Sequence, residues 1–288
     1  MTSSIYPSLG LYWLADVDPT IGAGVPGPLN QLLFRTDTNQ LYYKSGSADT
    51  DWTPFGMGTF AGSIVPTLPI PDVSNGFWYR DDLMNRTTSD YLAVATGTNG
   101  NPVGDAQHPG IITQNVSVVG DAALLGIGAA TASPILFGGG RWEMEGHFRI
   151  PTLSNGVNNI VQRLGFNDSN NAADAVDGAY FEYDFATYGD HKFRLCAASN
   201  SVRTKVDTGI LNVAGLETHW EVDVNPAGTL VTGVINGVPS ANNVASNIPV
   251  AAGRLTTARV QSVKQLGVGL LSVVHDFYEV RCALTTPR

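Results

Sequence analysis

The chain has 288 residues, 43% of them hydrophobic and 14% charged, with 32 glycines and 16 prolines. It is too apolar for a disordered chain, and it is long enough for one large domain plus a small appendage. A formal charge of −9, with no basic run to offset it, speaks against a phosphate backbone as partner. No apolar run approaches the ~20 residues of a membrane span, and no basic stretch leads into an apolar one at the start. A soluble protein made in the cytoplasm, without membrane or nucleic-acid contact, is therefore expected.

Residues 1–53 read as a compact β module. Leu32–Arg35 and Leu41–Lys44 are strand-like, and Thr36-Asp37-Thr38-Asn39 between them is turn chemistry, so a hairpin is predicted. Tyr12, Trp13, Phe34, Tyr42, Tyr43 and Trp52 are many large rings for so short a segment. A two-stranded hairpin cannot cover them, which points to burial against another chain and marks these six as an attachment interface. Residues 54–76 hold Pro54, Pro66, Pro69 and Pro71 with Gly56, Gly58, Gly62 and Gly76, the composition of an extended connector.

From Phe77 to the end short strands alternate with loops, and no segment sustains a helical period. Strands are predicted at 141–150, 159–166, 179–185, 192–197, 202–207, 218–224, 230–235, 257–263 and 270–283. In the first of these Trp142, Met144, Gly146, Phe148 and Ile150 fall on one face, with Arg141, Glu143, Glu145, His147 and Arg149 on the other. Trp220, Val222 and Val224 alternate likewise against His219, Glu221 and Asp223. Asn236-Gly237 suits a type I′ hairpin, whose two central residues need positive φ. Many such strands closing on one core imply a two-sheet sandwich, an all-β fold. Cys196 and Cys282 sit in apolar strand patterns and are expected as buried thiols.

Two resemblances follow from these residues. The runs GLYWLADVDPTIGAG from Gly10 to Gly24, LFRTDTNQLYYKSG from Leu33 to Gly46 and DTDWT from Asp49 to Thr53 resemble a short N-terminal module of tailed-phage virion proteins. RWEMEGHFRI from Arg141, RLGFND from Arg163, GAYFEY from Gly178, DTGI from Asp207, HWEVDVNPAG from His219 and INGVP from Ile235 resemble, in order and spacing, concanavalin A-like jelly rolls across residues 77–288. The resemblances imply a virion protein, of head-fibre, decoration or tail-fibre type. Other virion proteins would be its partners, a homotrimer its assembly, and host-surface glycans a contact of the jelly roll.

Some jelly-roll relatives are glucan hydrolases with Glu-x-Asp-x-Glu or Glu-x-Asp-x-x-Glu on one strand, since retaining hydrolysis needs an acid/base and a nucleophile ~5 Å apart. The match here is Glu143-Met144-Glu145-Gly146-His147-Phe148, with His147 and Phe148 at the two places where the second catalytic Glu would fall. Glu143 and Glu145 are then expected on a solvent-facing side, and Glu221 with Asp223 form a similar pair without a third acid at Asn225. No Gly-x-Ser-x-Gly elbow occurs, and His108, His147, His191, His219 and His275 lack metal-ligand spacing. The stretch Asn167–Asp177 is oxygen-rich, yet it lacks the EF-hand glycine and terminal Glu, and Asn and Asp also serve ordinary turns. No catalytic residue, metal or cofactor is assigned, and no enzymatic activity is expected. A glycan-degrading depolymerase is the alternative. Trp78, Tyr79, Tyr180 and Tyr188 are the candidate glycan contacts.

Overall fold

The computed structural model describes residues 6–8, 12–15, 20, 32–35, 40–54, 76–83, 92–94, 97–99, 103, 110–127 and 134–286. The chain divides into two compact units, Met1–Thr67 and Leu68–Arg288. The interior of the expected connector, 55–75, lies outside the described residues.

The first unit holds one five-stranded sheet, β1 (Tyr6–Ser8), β2 (Tyr12–Ala15), β3 (Leu32–Arg35), β4 (Gln40–Lys44) and β5 (Trp52–Pro54), in that order. The expected hairpin is β3–β4, with Leu32 opposite Tyr43 and Phe34 opposite Leu41. It is extended on both sides, by β2 running parallel to β3 and by β5 antiparallel to β4. These added strands change the reading of the aromatics. Tyr42 and Trp52 are each 4% exposed within the single chain, so their rings are covered without a partner. The side chains of Tyr12, Trp13, Phe34 and Tyr43 lie outside the described set.

The second unit is the two-sheet antiparallel sandwich expected from the alternating strands. Its strands are β6 (Gly76–Asp81), β7 (Leu92–Val94), β8 (Thr98–Asn99), β9 (Ile112–Val116), β10 (Ala122–Gly126), β11 (Gly140–Arg149), β12 (Asn159–Asn167) and β13 (Gly178–Asp184). After a single helical turn, α1 (Phe185–Tyr188), come β14 (Lys192–Ser199), β15 (Val202–Leu211), β16 (Thr218–Val224), β17 (Val231–Ile235), β18 (Val238–Pro239), β19 (Thr257–Leu266) and β20 (Leu271–Leu284). Sheet I runs β18-β17-β16-β11-β20-β9-β8, with β6 also on β20; sheet II runs β15-β14-β13-β12-β19-β10-β7. The β17–β18 turn has Asn236 at φ 51° and Gly237 at φ 75°, as a type I′ turn requires.

Met144, Phe148, Trp220 and Val222 of sheet I meet Leu164, Phe166, Phe181, Phe193 and Val260 of sheet II in one core, each fully or almost fully buried. Burial of each such side chain stabilises by about 1.5–3 kcal/mol. The fit is close at Gly233, where an added Cβ would stand 2.3 Å from the Phe181 ring. Four polar side chains also lie in this core. Ser262 Oγ meets Gln114 Oε1 at 2.6 Å and Gln162 Oε1 at 2.5 Å, and His275 Nε2 lies 3.2 Å from Gln114 Oε1. One hydroxyl proton cannot serve both oxygens. Turning the Gln162 amide over lets its NH2 donate to Ser262, which then donates to Gln114.

On β20 the pairing with β11 passes from His147 opposite Phe277 to Phe148 opposite His275, leaving Asp276 as an extra residue. That bulge reverses the face parity of the strand. Leu271, Val273 and His275 point inward before it, and Tyr278, Val280 and Cys282 after it. It also marks the handover of β20's other edge from β9 to β6.

Sheet II is buried on both faces along β12 and β13. The loop between these strands lies against the sheet's outer side, tied by Arg163 to Ala173 O (3.2 Å) and to Asp174, and by Gln261 Nε2 to Ser169 Oγ (3.2 Å). The loop's acidic oxygens are taken up within the protein, those of Asp174 by arginines and those of Asp168 and Asp177 largely by backbone amides. Asp168 Oδ1 accepts from the amides of Val176 (2.8 Å) and Asp177 (3.1 Å), and Asp177 Oδ1 from that of Asn200 (2.9 Å). Cys196 and Cys282 are buried on different sheets, and burial pushes the Cys196 thiol far up.

Candidate functional site

Ionisable side chains concentrate on the outer face of sheet I, across the adjacent strands β16, β11, β20 and β6. Cross-strand partners share a face, so the register itself builds the site. Asp223 stands opposite Glu143, Glu143 opposite Arg281, and Arg281 opposite Trp78. In the next row Glu221, Glu145, Glu279 and Arg80 follow one another, and in the third His219, His147 and Phe277.

Arg281 is the hub. Its Nη1 donates to Glu143 Oε1 at 2.7 Å, its Nη2 to Glu145 Oε1 at 2.8 Å, and its Nε to Glu279. Arg141 pairs with Asp223, and His219 Nε2 meets Glu145 Oε2 at 3.2 Å. The His147 ring lies between those of His219 and Phe277, 4.9 Å from each, and the Arg80 guanidinium lies 4.7 Å over Phe277. The expectation of a solvent face is corrected here. Glu143 is 1% exposed, Glu279 4% and Glu221 6%: five carboxylates crowd one patch, and four of them, Glu143, Glu145, Asp223 and Glu279, pair with three arginines.

This crowding separates the two acids of β11. Burial, and then the charge of Glu221, pushes Glu143 up to about 7, against the pull of Arg281 and Arg141. Glu143 Oε2 has no hydrogen-bond partner among the described residues and faces Arg141 Nη2 at 3.6 Å. Burial also pushes Glu145 upward, but the hydrogen bond with His219 and the charge of Arg281 outweigh it and hold that carboxyl below its usual range. Glu221 and Asp223 are both raised, chiefly by burial. At neutral pH the face therefore offers one acid that readily holds or releases a proton beside one that stays ionised.

Of the four candidate aromatics, only Trp78 belongs to this face. It is 51% exposed, and its Nε1 donates to Glu279 Oε1 at 2.7 Å, which holds the ring at the rim of the charged rows. Tyr79, the next residue on β6, points the other way and packs on the core beside Tyr278, as strand alternation demands. Tyr180 is on sheet II and fully buried with Ala175 and Cys196, out of reach of any ligand. Tyr188 lies on α1 with the Arg194 guanidinium 4.3 Å over its ring. The four therefore form no common platform. Sequence reasoning did not single out Arg281, Glu279 or Phe277. Their alternation with Tyr278, Val280 and Cys282 is visible in the chain, but the register that sets them beside Glu143 and Glu145 is not.

No family model matches this sequence, and no curated protein matches it significantly. Solved structures do. A protein of unknown function from Shewanella oneidensis MR-1 is similar with a TM-score of 0.55 at 11% identity, over 75% of this chain and 90% of that one. A peanut lectin aligns with a TM-score of 0.48 at 12% identity, over 74% of this chain and 99% of its own. A Bacillus licheniformis β-glucanase aligns with 0.40 at 14% identity, over 73% and 98%. At such identities the likeness is one of fold alone.

Proposed function

We propose that the protein is a structural subunit of a tailed-phage virion whose jelly roll binds glycan through the outer face of sheet I. The observation that carries the glycan reading is Trp78. A sugar ring stacks its C–H face on an exposed indole, and here the indole is fixed by Glu279 beside a surface of carboxylate and guanidinium groups that match sugar hydroxyls. The lectins similar in fold are in keeping with this reading. The virion role is supported by the resemblance of the segments between Gly10 and Thr53. In this reading the N-terminal module docks the subunit, as a homotrimer, to other virion proteins.

Glycan-array binding of the full chain tests the first part. Trp78→Ala should weaken binding by roughly tenfold or more, the share of one stacked ring; a variant that binds as well as the parent removes the site. Removing residues 1–53 tests the second, since the shortened chain should no longer be incorporated into particles.

One observation favours a glycoside hydrolase instead. Glu143, raised to about 7, and Glu145, held low, share a strand and a face, and acid and nucleophile must differ in this way. Against it, Arg281 engages both carboxylates and would compete with a substrate for them. His147 also stands where the motif would carry its further acid. Release of reducing ends from capsular or cell-wall glycans, abolished in Glu145→Gln, would establish hydrolysis over simple binding.

A further inference from the structure

Three loops meet at the end of the sandwich where β9, β11 and β19 finish. They are residues 117–121, 155–158 and 265–270, and they are built inside out. Val118, Val119, Val157, Leu266, Val268 and Leu270 are 44–86% exposed, while Asp121 of the first loop and Lys264 of β19, just before the third, are turned inward at 0% and 1%. Asp121 Oδ2 accepts from the amides of Ser117 (2.8 Å) and Val118 (2.7 Å), fixing the first loop. Lys264 Nζ donates to Gly269 O at 2.5 Å, and Asn158 Oδ1 accepts from Gly269 N at 2.8 Å, tying the second loop to the third. Backbone bonds of 3.0 and 2.9 Å join Gly120 to Lys264 and Lys264 to Asp121. At Gly267 a Cβ would fall 2.2 Å from Val157 O, so the second and third loops touch. Buried polar anchors thus hold six aliphatic side chains out into solvent as one platform.

We propose that this tip is a self-association surface, through which copies of the chain meet. The six side chains expose on the order of 600 Å² together, at the upper end of what monomers leave open. Doubled across a contact between copies, that is about 1,200 Å², the lower bound of specific interfaces. Charge permits a second copy here. A chain of net charge −9 repels its own copies, and these loops present no exposed charged residue. A bilayer surface would call for basic or aromatic residues around the aliphatics, and the three loops contain none.

The test is cross-linking of the full chain through one introduced thiol, since both native cysteines are buried. Val268→Cys, at the most exposed position of the tip, is treated with a short bis-maleimide. Ala227→Cys, on the β16–β17 turn at the opposite end of the strands, is the control. Val268→Cys should give covalent dimer in roughly tenfold higher yield than the control, and adding Leu270→Asp should remove most of that excess, because a carboxylate cannot be buried unpaired in the contact. Equal yields from the two thiols, or a yield unchanged by Leu270→Asp, overturn the proposal. So does flotation with neutral phosphatidylcholine vesicles combined with background cross-linking, which would assign the tip to lipid. Glycan binding through Trp78 is read separately and is untouched by either result.

Discussion

Two buried groups are expected to cancel each other's effect on stability as the solution is acidified. His275 lies in the core between the sheets, and burial pushes its pKa from the ordinary 6.5 down to about 3. Below pH 6.5 the unfolded chain takes up a proton that the folded chain refuses, so the fold loses about 1.4 kcal/mol per pH unit down to about pH 3. Glu143 acts in the opposite sense. With its pKa raised from 4.5 to about 7, the folded chain takes the proton first, and stability rises by a similar amount per unit between pH 7 and 4.5. Between pH 6.5 and 4.5 the two slopes offset one another. His275→Gln removes one of them without adding a charge. Measured by urea unfolding, its stability relative to the parent should climb by about 2 kcal/mol from pH 6.5 to 5, whatever the offset at neutrality. Glu143→Gln should show the opposite trend, falling relative to the parent by about 3 kcal/mol from pH 7 to 4.5. A His275→Gln difference that stays level across this range would refute the reasoning, because it would mean that the imidazole titrates normally in the fold.

Arg281→Ala strands Glu143, Glu145 and Glu279 without their shared cation, and a loss of about 3–5 kcal/mol at pH 7 is expected, shrinking as acid protonates Glu143. Thermal melts at pH 7 and pH 5 check both the size and the recovery. Gly233→Ala drives a methyl group into the Phe181 ring and should cost about 1–3 kcal/mol in denaturant unfolding; an unchanged midpoint would show that the sheets part easily there. Limited proteolysis should cut between Thr53 and Gly76 and leave a stable C-terminal fragment of the second unit, identified by mass.

The fold was legible where a strand of the second unit carries its own period; β12 and β13, buried on both faces, do not, and β6 to β10 lie outside the strands predicted from the sequence. The alternation of Trp142, Met144 and Phe148 against Glu143, Glu145 and His147 places β11 within a residue of its observed bounds, and Asn236-Gly237 names its turn. What escaped has a common cause. Pairing is a property of two strands, so the meeting of Arg281 with Glu143 and Glu145, two acids separated from it by more than a hundred residues, leaves no mark in either segment. The burial of Glu143 was hidden for the same reason, since a polar residue on a strand's outer side reads as solvated until its neighbours are known. Among the aromatics, Trp78 and Tyr79 are indistinguishable in composition, and only the phase of β6 decides which one meets solvent. His275 sits in a stretch whose parity is reset at Asp276, and a one-residue bulge has no period to announce it.

The central place of β20 also has a consequence in time. Among the strands of this sandwich it comes last in chain order, yet it pairs with β6, β9 and β11, and it supplies Arg281 to the carboxylates of β11. Until residues 271–284 emerge, sheet I lacks its middle, and Glu143 and Glu145 have no guanidinium to share. Closure must then span some two hundred residues of sequence, a slow step for a chain whose exposed strand edges are prone to pair with others. Nascent chains would therefore leave the β20-facing edges of β6, β9 and β11 open until residues 271–284 emerge, the interval in which chaperone shelter matters most.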